Sequence, residues 1–332
     1  MKKSVLRKLL SITLAGIMLV SLVGCSKDAE TGEAGDAKVY NVGICQLVQH
    51  DALDAATEGF QAALKEKLGD NVKFNLQNAS NDSATCATIV TQFVNDNADL
   101  IMANATPALQ AAMQATGDIP IVATSITDFA TALETEEWTG KTGINVTGTA
   151  DLAPLEEQAN MVKELVPSAK TVGILYCSAE ANSKYQSDVI SKEFDKLGLS
   201  VKVYTIADSN DISAVTTQAC DEVDVIYIPT DNTIASAASA VNEIASPAGI
   251  PIIAGDEGIC KGCGIATLSI SYYSIGYEAG LMAYEILVND ADPADMEIKY
   301  ATELTKKYVE ERTASYKIEV PDTYEAIDMT AE

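Results

Sequence analysis

Two segments, Ile119-Pro120-Ile121-Val122-Ala123 and Ile250-Pro251-Ile252-Ile253-Ala254, have almost the same sequence and begin 131 residues apart. Three further pairs match in the same order at offsets of 125 to 130 residues: VGIC at 42–45 with VGIL at 172–175, Asn-Asp at 81–82 with Asn-Asp at 210–211, and DLI at 99–101 with DVI at 224–226. Buried strands of parallel sheets are rich in Val and Ile in any case. The shared Ile-Pro-Ile and the nearly constant spacing nevertheless favour an internal duplication, and hence two lobes of one topology.

Short β-branched segments alternate with amphipathic helical stretches in each copy. In the first copy the pattern predicts strands at 39–46, 72–77, 100–103 and 121–124 and helices at 52–68, 83–94 and 106–115. Parallel strands separated by helices of this length form right-handed βαβ units. The sequence therefore predicts an α/β protein with two lobes, each built on a doubly wound parallel sheet.

The chain continues beyond the second copy with a predicted strand at 265–270, a helix at 273–287 and an extended final stretch. A chain that completes one lobe, enters the other and returns must cross between the lobes several times. We expect three hinge crossings, at residues 142–146, 255–257 and 299–302. The first lobe would then comprise residues 38–145 and 256–298, and the second lobe residues 146–255 and 299–325.

The N-terminus has the parts of a secretory signal. Lys2, Lys3, Arg7 and Lys8 precede an apolar stretch at 9–23, which is followed by Gly24 and Cys25. The apolar stretch is shorter than the roughly 20 residues that a membrane-spanning helix needs. A cysteine after Leu-Val-Gly resembles the lipobox of bacterial lipoproteins, whose thiol is diacylated before cleavage. We therefore expect a signal peptide at 1–24 and a lipid-bearing Cys25; an ordinary secretory signal that happens to end in cysteine is the alternative.

Residues 25–37 are polar, acidic and glycine-containing, and they show no apolar period. This composition is typical of a flexible linker between a lipid and a folded domain. The whole chain of 332 residues has a formal net charge of −26, and cleavage of the signal would remove four positive charges. A charge of that sign repels nucleic acids and anionic lipid headgroups, so we expect neither as a partner.

The sequence holds seven cysteines, of which Cys260 and Cys263 form a C-x-x-C motif, and a single histidine, His50. A zinc site would need two further ligands near this motif, and His50 is far away in sequence. The motif also lies in a glycine-rich stretch, GICKGCG, rather than in a thioredoxin-like context. We expect a local disulfide or plain thiols here, and neither a metal nor a cofactor anywhere in the protein.

Polar residues follow the predicted strands of both lobes. Ligands of open parallel sheets bind beyond the carboxyl ends of the strands, and two facing rims of this kind form a cleft between lobes. The expected ligand-binding residues are Gln46, Asn78, Thr106, Thr127 and Asp128 of the first lobe, and Ser178, Glu180, Asn182, Asp231, Asn232 and Asp256.

Thr106 precedes Pro107 and is expected to be the N-cap of a helix whose free N–H groups suit a carboxylate. The equivalent helix of the second lobe begins near Asp231 and carries an acid instead. An anion receptor that faces an acid suits a zwitterion, that is, an α-amino acid. The alternative is that these residues only cap helices, and His50, after the first strand, could be a loop residue or a ligand contact.

Catalytic motifs are scarce. The sequence has no G-x-S-x-G, H-E-x-x-H, phosphate-binding loop or G-x-G-x-x-G after a strand. With one histidine, the usual general base at neutral pH is almost absent. Binding is therefore expected rather than catalysis, although a secreted enzyme that uses Asp256 or Glu257 as a base stays as an alternative.

Several stretches resemble one family, the ABC-transporter substrate-binding proteins of the tryptophan/tyrosine type. The resemblance extends from residue 39 to about residue 320. It is carried by Gly43-Ile44-Cys45-Gln46 with His50, Leu53-Asp54-Ala55, Glu58-Gly59-Phe60, Gln77-Asn78-Ala79, Ala105-Thr106-Pro107-Ala108, Thr127-Asp128, Gly143-x-Asn145-Val146-Thr147-Gly148, Tyr176, Glu180-x-Asn182-Ser183 and Asp231-Asn232-Thr233. Two positions depart from the usual pattern: Phe129 stands where proline is common, and Cys177-Ser178 follow Tyr176 in place of Asn-Ser or Ser-Ser.

The resemblance implies a periplasmic-binding-protein-like clamshell (type I, with three crossings) that binds a small amino acid, in characterised members an aromatic one. It further implies delivery to a membrane permease driven by an ATPase, with the lipid on Cys25 holding the receptor at the outer face of the cell membrane. Phe129, Tyr176 and Tyr185 are candidate ring contacts for the ligand. The alternative function is a lipid-anchored ligand sensor with the same clamshell.

Overall fold

The computed structural model describes residues 38–329, and the predicted signal peptide, linker and lipid-bearing Cys25 lie outside this range. The first of two sheets has six strands, all parallel, in the order β11-β5-β4-β3-β1-β2. These strands are β1 (Tyr40–Gln46), β2 (Val72–Asn78), β3 (Leu100–Asn104), β4 (Ile121–Ile126), β5 (Val146–Ala150) and β11 (Lys299–Tyr300).

The second sheet has seven strands in the order β13-β12-β10-β9-β8-β6-β7. All neighbours in it are parallel except β10 and β12. Its strands are β6 (Thr171–Cys177), β7 (Ser200–Ile206), β8 (Val225–Ile228), β9 (Ile252–Ala254), β10 (Ala266–Ser269), β12 (Thr305–Tyr308) and β13 (Glu325–Ala326).

Helices cover the faces of both sheets. They are α1 (Asp51–Leu68), α2 (Ser83–Asn95), α3 (Thr106–Ala115), α4 (Phe129–Ala132), α5 (Leu155–Leu165), α6 (Ala181–Lys196), α7 (Ile212–Glu222), α8 (Asn232–Ala235), α9 (Ala238–Ala248), α10 (Glu257–Gly262), α11 (Tyr272–Asn289) and α12 (Glu310–Ser315). No helix between residues 38 and 329 combines the length and the apolar composition that a membrane span requires.

The internal duplication is visible in the strand order. Reading β5-β4-β3-β1-β2 in the first sheet and β10-β9-β8-β6-β7 in the second gives the same order of five parallel strands. The inner strands β3, β4, β8 and β9 are buried along their whole length. This burial on both faces explains the continuous Val/Ile-rich runs on which the duplication was recognised. The predicted fold class is confirmed.

The strand pairing divides the chain at other residues than the sequence suggested. Residues 146–150 pair with β4 and stay in the first sheet, so the first crossing is at 151–154. Residues 266–269 pair with β9 and β12, so residues 256–269 belong with the second sheet and the second crossing is at 270–271. The third crossing, 301–304, follows β11 and overlaps the expected 299–302. Periodicity identifies a strand but not the sheet edge it joins, because both edges present the same unpaired backbone groups.

Helix α11 returns to the first lobe and packs on α1 at very short range. A Cβ atom added to Gly276 would lie 2.0 Å from the Ala56 carbonyl oxygen, and one added to Gly59 would lie 2.1 Å from the Tyr273 carbonyl oxygen. The two helices can therefore touch backbone to backbone only because both positions are glycine. This packing anchors the segment after the second crossing to the lobe in which the chain began.

Gly276→Ala should lower the free energy of unfolding by about 1–3 kcal/mol, the usual cost of overpacking a buried contact. The matched control is Gly117→Ala, since nothing lies within 4 Å of a Cβ atom at that loop position; it should change stability by less than about 0.5 kcal/mol. Urea unfolding of both variants makes the comparison. Equal stability of the two variants would contradict the close packing.

Candidate functional site

A narrow cleft lies between the two lobes at the carboxyl ends of their strands. The space in it not filled by atoms is about 260 Å³, including the part open to solvent. It is lined by His50, Leu53, Ser125, Thr127, Asp151, Asn182, Thr230, Asp231, Asn232, Ala235, Asp256 and Tyr272. Residues from both lobes, from the first crossing and from the start of α11 therefore meet at one place.

Two hydrogen bonds join the lobes beside this cleft. The His50 Nε2 atom lies 3.2 Å from Asn232 Oδ1, and Asn81 Nδ2 donates to Thr233 Oγ1 over 3.0 Å. His50 and Asn81 follow β1 and β2 of the first sheet, whereas Asn232 and Thr233 begin α8 beyond the second sheet. The lobes are thus in contact, and the structure is a closed clamshell.

Glu180 positions the α8 residues that make these contacts. Its carboxylate accepts hydrogen bonds from the backbone N–H groups of Asn232 (3.1 Å) and Thr233 (2.8 Å). It also accepts from Asn232 Nδ2 (2.7 Å), Thr233 Oγ1 (2.8 Å) and Asn182 Nδ2 (3.0 Å). An anion is favoured at this helix start because the first N–H groups there have no partner within the helix. With five bonds to its own lobe, Glu180 is a positioning group.

Asp231 is buried and fully engaged within the second lobe. It accepts from the Cys177 N–H (2.7 Å) and the Ser183 hydroxyl (2.8 Å) through one oxygen, and through the other it caps α8 at the Ile234 N–H (2.9 Å). Burial and the neighbouring Glu180 carboxylate raise the pKa of Asp231 to about 8. This residue ties the end of β6 to the start of α8.

Asp256 and Asp151 are two further buried carboxyl groups of the cleft. Asp256 caps α10 by accepting from the Ile259 N–H over 2.8 Å, and burial raises its pKa to about 7. Asp151 accepts from the Tyr272 hydroxyl over 2.9 Å, and burial raises the pKa of Asp151 as well. Neither lysine nor arginine is among the residues that line the cleft. These carboxyl groups therefore have no cationic partner in the cleft, and burial favours their neutral form.

Four buried side-chain atoms that line the cleft have no hydrogen-bond partner. They are His50 Nδ1, Ser125 Oγ, Asp151 Oδ1 and Asn182 Oδ1, and they are half of the eight such atoms found in residues 38–329. A buried polar atom without a partner costs about 1–3 kcal/mol. Their concentration at one cleft marks it as the candidate site for a polar ligand.

The backbone is strained at the ends of β3 and β4. Ala105 has φ = 88° and Ser125 has φ = 57°, both in a region that side-chain-bearing residues rarely adopt. Their strands are neighbours, since Asn104 pairs with Thr124. The strain places the Ser125 hydroxyl in the cleft next to the start of α3, and no side chain caps the first turn of α3. The Ser125 hydroxyl lines the cleft at this donor corner, and the uncapped first turn of α3 follows the neighbouring strand without lining the free space itself.

The structure brings five of the eleven predicted ligand residues to the cleft: Thr127, Asn182, Asp231, Asn232 and Asp256. Glu180 lies behind them. The side-chain amide of Gln46 forms hydrogen bonds with Val48, Asp54 and Thr57, all within the first lobe. Asn78 and Ser178 are exposed and bond to Ser80 and Ile206, and Asp128 caps α4 at the Thr131 N–H.

Thr106 is the first residue of α3 rather than its N-cap. The Thr-Pro pattern predicted the N-cap of α3 one residue too far along the chain. The N-cap is the strained Ala105, because its carbonyl oxygen already accepts the first helical hydrogen bond, from the Leu109 N–H. Thr106 is buried beside the donor corner but does not line the free space of the cleft.

Sequence reasoning did not select Asp151 and Tyr272 as ligand-binding residues. Asp151 directly follows β5, so the rule that ligands bind beyond strand ends would have included it. It was overlooked because 142–146 was taken as a crossing, which removed β5 from the first sheet. Tyr272 begins α11 just after the second crossing, whose place was also misjudged.

Of the three aromatic candidates, Phe129 is buried and stacks on Trp138, with a ring centroid distance of 6.2 Å. Tyr176 packs in the core of the second lobe, and Tyr185 is half-buried near Asp128. None of these three rings lines the free space; Tyr272 does.

Cys260 and Cys263 are buried free thiols, and burial raises the pKa of Cys263 to about 12. Within residues 38–329 no group of three or more His, Cys, Asp or Glu side chains is placed to hold a metal.

Comparison with known proteins agrees with this architecture. Residues 41–323 match the family described as ABC transporter substrate binding protein. The chain belongs to this family of substrate-binding proteins. It is 39% identical over 291 residues to a tyrosine-binding protein of Clostridioides difficile, which covers 85% of this chain and 84% of that protein.

Two solved structures differ in how closely their sequence and their shape match this chain. An ABC domain from Streptococcus pneumonia in complex with L-Trp is 31% identical, with a TM-score of 0.83 over 87% of this chain and all of that one. The ligand-free, open structure of CD0873, a substrate-binding protein with adhesive properties from Clostridium difficile, is 35% identical but has a TM-score of 0.67 over 87% of this chain and 99% of that one. The more similar sequence has the less similar shape, which agrees with a closed arrangement of the lobes in this substrate-binding protein.

Asp256→Asn should make stability less dependent on pH between about pH 5 and pH 8. In the unfolded chain Asp256 loses its proton near its ordinary pKa of about 3.9, whereas in the folded protein it holds the proton up to about pH 7. Its contribution to stability is therefore complete at low pH and is lost as the pH rises through that value. Asparagine keeps the cap of α10 but does not titrate.

The measurement is urea unfolding of the parent and the variant at both pH values. Ser178→Ala is the control, because it changes an exposed rim residue that does not titrate. The account is contradicted if Asp256→Asn loses as much stability between the two pH values as the parent and the control do.

Proposed function

We propose that this chain is the extracytoplasmic solute-binding component of an ABC importer, and that it captures an aromatic amino acid (tyrosine, tryptophan or phenylalanine) between its lobes. The observation that carries the proposal is the set of four unpaired buried polar atoms, which come from both lobes and face one closed cleft. A ligand that satisfies them stabilises the closed form over the open one, and this difference is what a permease can recognise.

The choice of an amino acid follows from the two chemistries in the cleft. The donor corner at Ser125 and α3 suits the α-carboxylate, because free N–H groups and the positive end of a helix favour an anion. The carboxyl groups elsewhere in the cleft suit a positive group. The aromatic side chain is supported by the relatives, one named for tyrosine and one solved with L-Trp, and Tyr272 is a ring available to contact it.

The same arrangement supports binding without chemistry. Asp231 and Glu180 have their oxygens committed to backbone and side-chain donors, and His50 is held by Asn232 with its pKa lowered by burial. Catalysis needs a base that can reach the substrate proton in its active protonation state. The lipid on Cys25 then keeps the receptor beside its permease, so that a captured solute is released at the pore.

Tyrosine, tryptophan or phenylalanine should raise the melting temperature of the purified protein by several degrees. At a ligand concentration of 100 times Kd, the stabilisation is about 2.7 kcal/mol. A thermal-shift screen over the twenty amino acids, with L-tyrosinamide as a matched ligand without the carboxylate, makes the measurement. Stabilisation by another solute class and by no aromatic amino acid would refute the specificity, and an amide as effective as the acid would refute the carboxylate corner.

Cys25→Ser should abolish attachment of fatty acid to the protein and leave the signal at 1–24 uncleaved, because diacylation of the thiol precedes cleavage. Two acyl chains anchor a protein stably because each buried CH₂ contributes about 0.8 kcal/mol. Metabolic labelling with a fatty acid and immunoblotting for chain length check this, and Cys220→Ser serves as the control for loss of a cysteine in the folded domain. A Cys25→Ser protein that still takes up the fatty acid would show that Cys25 is not the lipidated residue.

A further inference from the structure

Two cysteine thiols meet inside the first lobe. Cys45 lies on β1 and Cys86 in the first half of α2, and neither side chain is exposed to solvent. The two thiols are hydrogen-bonded to each other, and this contact raises the pKa of the Cys45 thiol and lowers the pKa of the Cys86 thiol. The pair therefore meets the first requirement of a disulfide, which is a close approach of two sulfur atoms.

The contact between the thiols is part of the packing of α2 on β1. Gly43 lies two residues before Cys45, on the same face of the strand, and a Cβ atom there would lie 2.5 Å from the ring of Phe93 on α2. Phe93 follows Cys86 by two helical turns, so both belong to the face of α2 that covers the strand. The absence of a side chain at Gly43 thus lets α2 approach β1 closely enough for the two sulfur atoms to touch.

Other cysteines in residues 38–329 direct their thiols elsewhere. Cys263 Sγ donates to the Ile259 carbonyl oxygen over 3.4 Å, and Cys177 Sγ donates to the Ala207 carbonyl oxygen over 3.5 Å. The C-x-x-C motif thus has one thiol turned to the backbone of its own helix. Cys45 and Cys86, which are distant in sequence, are the better placed pair.

We propose that Cys45 and Cys86 form a disulfide when the exported chain folds, and that this bond ties β1 covalently to α2. The proposal goes beyond solute capture and takes from the proposed function only the export of the chain. Disulfides persist outside the cytoplasm, where the surroundings are oxidising. Because both sulfur atoms are buried in the folded lobe, the exchange takes place before α2 docks on β1.

The oxidant is itself a disulfide, either a thiol–disulfide oxidoreductase or a small molecule such as oxidised glutathione. One cysteine thiolate attacks a sulfur atom of this disulfide, whose S–S bond breaks as a mixed disulfide forms and a first thiolate leaves. The second cysteine thiolate then attacks the sulfur of the first cysteine, which forms the new S–S bond and releases the second thiolate. The protein loses two protons and two electrons, and the oxidant becomes two thiols.

The bond would lie directly below the first-lobe contacts with α8. The carbonyl oxygen of Leu47, two residues after Cys45, accepts from the Asn81 N–H over 2.8 Å. Asn81 lies five residues before Cys86, and together with His50 it makes the hydrogen bonds to the second lobe. The disulfide therefore holds together the two loops that contact α8, whether the lobes are open or closed.

The test maps cysteine pairing in the full-length protein, refolded from urea and dithiothreitol into a mixture of reduced and oxidised glutathione. Free thiols are blocked with iodoacetamide under denaturing conditions before proteolysis and mass spectrometry. We expect a pair of peptides linked through Cys45 and Cys86 and released by reduction. The melting temperature of this form should be at least about 3 °C above that of protein refolded in dithiothreitol, because the bond closes a loop of about 40 residues in the unfolded chain.

Cys86→Ala should abolish both the linked peptides and the difference in melting temperature between the two refolding buffers. Cys263→Ala is the matched control: it removes a buried thiol of the second lobe and should keep both. Loss of a buried side chain can lower stability in either variant, but only loss of the disulfide removes the dependence on the buffer. If Cys86→Ala does not fold, the peptide map and melting temperatures of the parent decide.

Alkylation of both Cys45 and Cys86 in the protein refolded with glutathione would overturn the proposal, as would a link from either of them to another cysteine. The same map on protein from cells treated with iodoacetamide before lysis examines the exported chain: linked peptides support the proposal, and two alkylated thiols contradict it. None of these results depends on a ligand. Failure here leaves the solute receptor standing, and failure of amino acids to bind leaves the disulfide unaffected.

Discussion

Burying a polar atom without a hydrogen-bond partner is costly, and the closed form of this protein does so four times at one cleft. Beside the cleft, two direct hydrogen bonds join the lobes, from His50 and from Asn81 to the start of α8. Two bonds are few compared with four unpaired buried atoms. A ligand changes the balance, because it supplies the missing partners and at the same time touches both lobes. The affinity for the solute is therefore coupled to the free energy of closing, as a clamshell receptor requires.

The second lobe is prepared for this event by Glu180. Four of its five hydrogen bonds fix the start of α8, which makes Asn232 and Thr233 available to the first lobe. The Asn232 side chain held in this way contacts His50 Nε2 at 3.2 Å. Glu180 does not line the cleft, and it thereby controls the contact between the lobes from behind.

The fold could be predicted from the sequence because the inner strands of a parallel sheet are buried on both faces and are therefore apolar throughout. The repeated Ile-Pro-Ile then indicated two such sheets with the same order of strands. The hinge positions were not readable in the same way. Residues 146–150 and 266–269 look alike as strands, and only their pairing partners, β4 in one case and β9 with β12 in the other, decide the lobe. That error also hid Asp151 and Tyr272. For Asp231 and Asp256 the sequence could not separate a helix cap from a ligand contact, since an acid after a strand has the same signature in both roles.

The most direct test of the central claim is small-angle X-ray scattering of the purified protein, first stripped of ligand by denaturation and refolding, and then saturated with the amino acid that gives the largest thermal shift. If ligand contacts hold the lobes together, the ligand-free protein has the larger radius of gyration, and adding the amino acid reduces it to the value of the closed structure described above. An identical radius of gyration with and without bound amino acid would contradict the account, because closure would then not depend on the unpaired groups of the cleft.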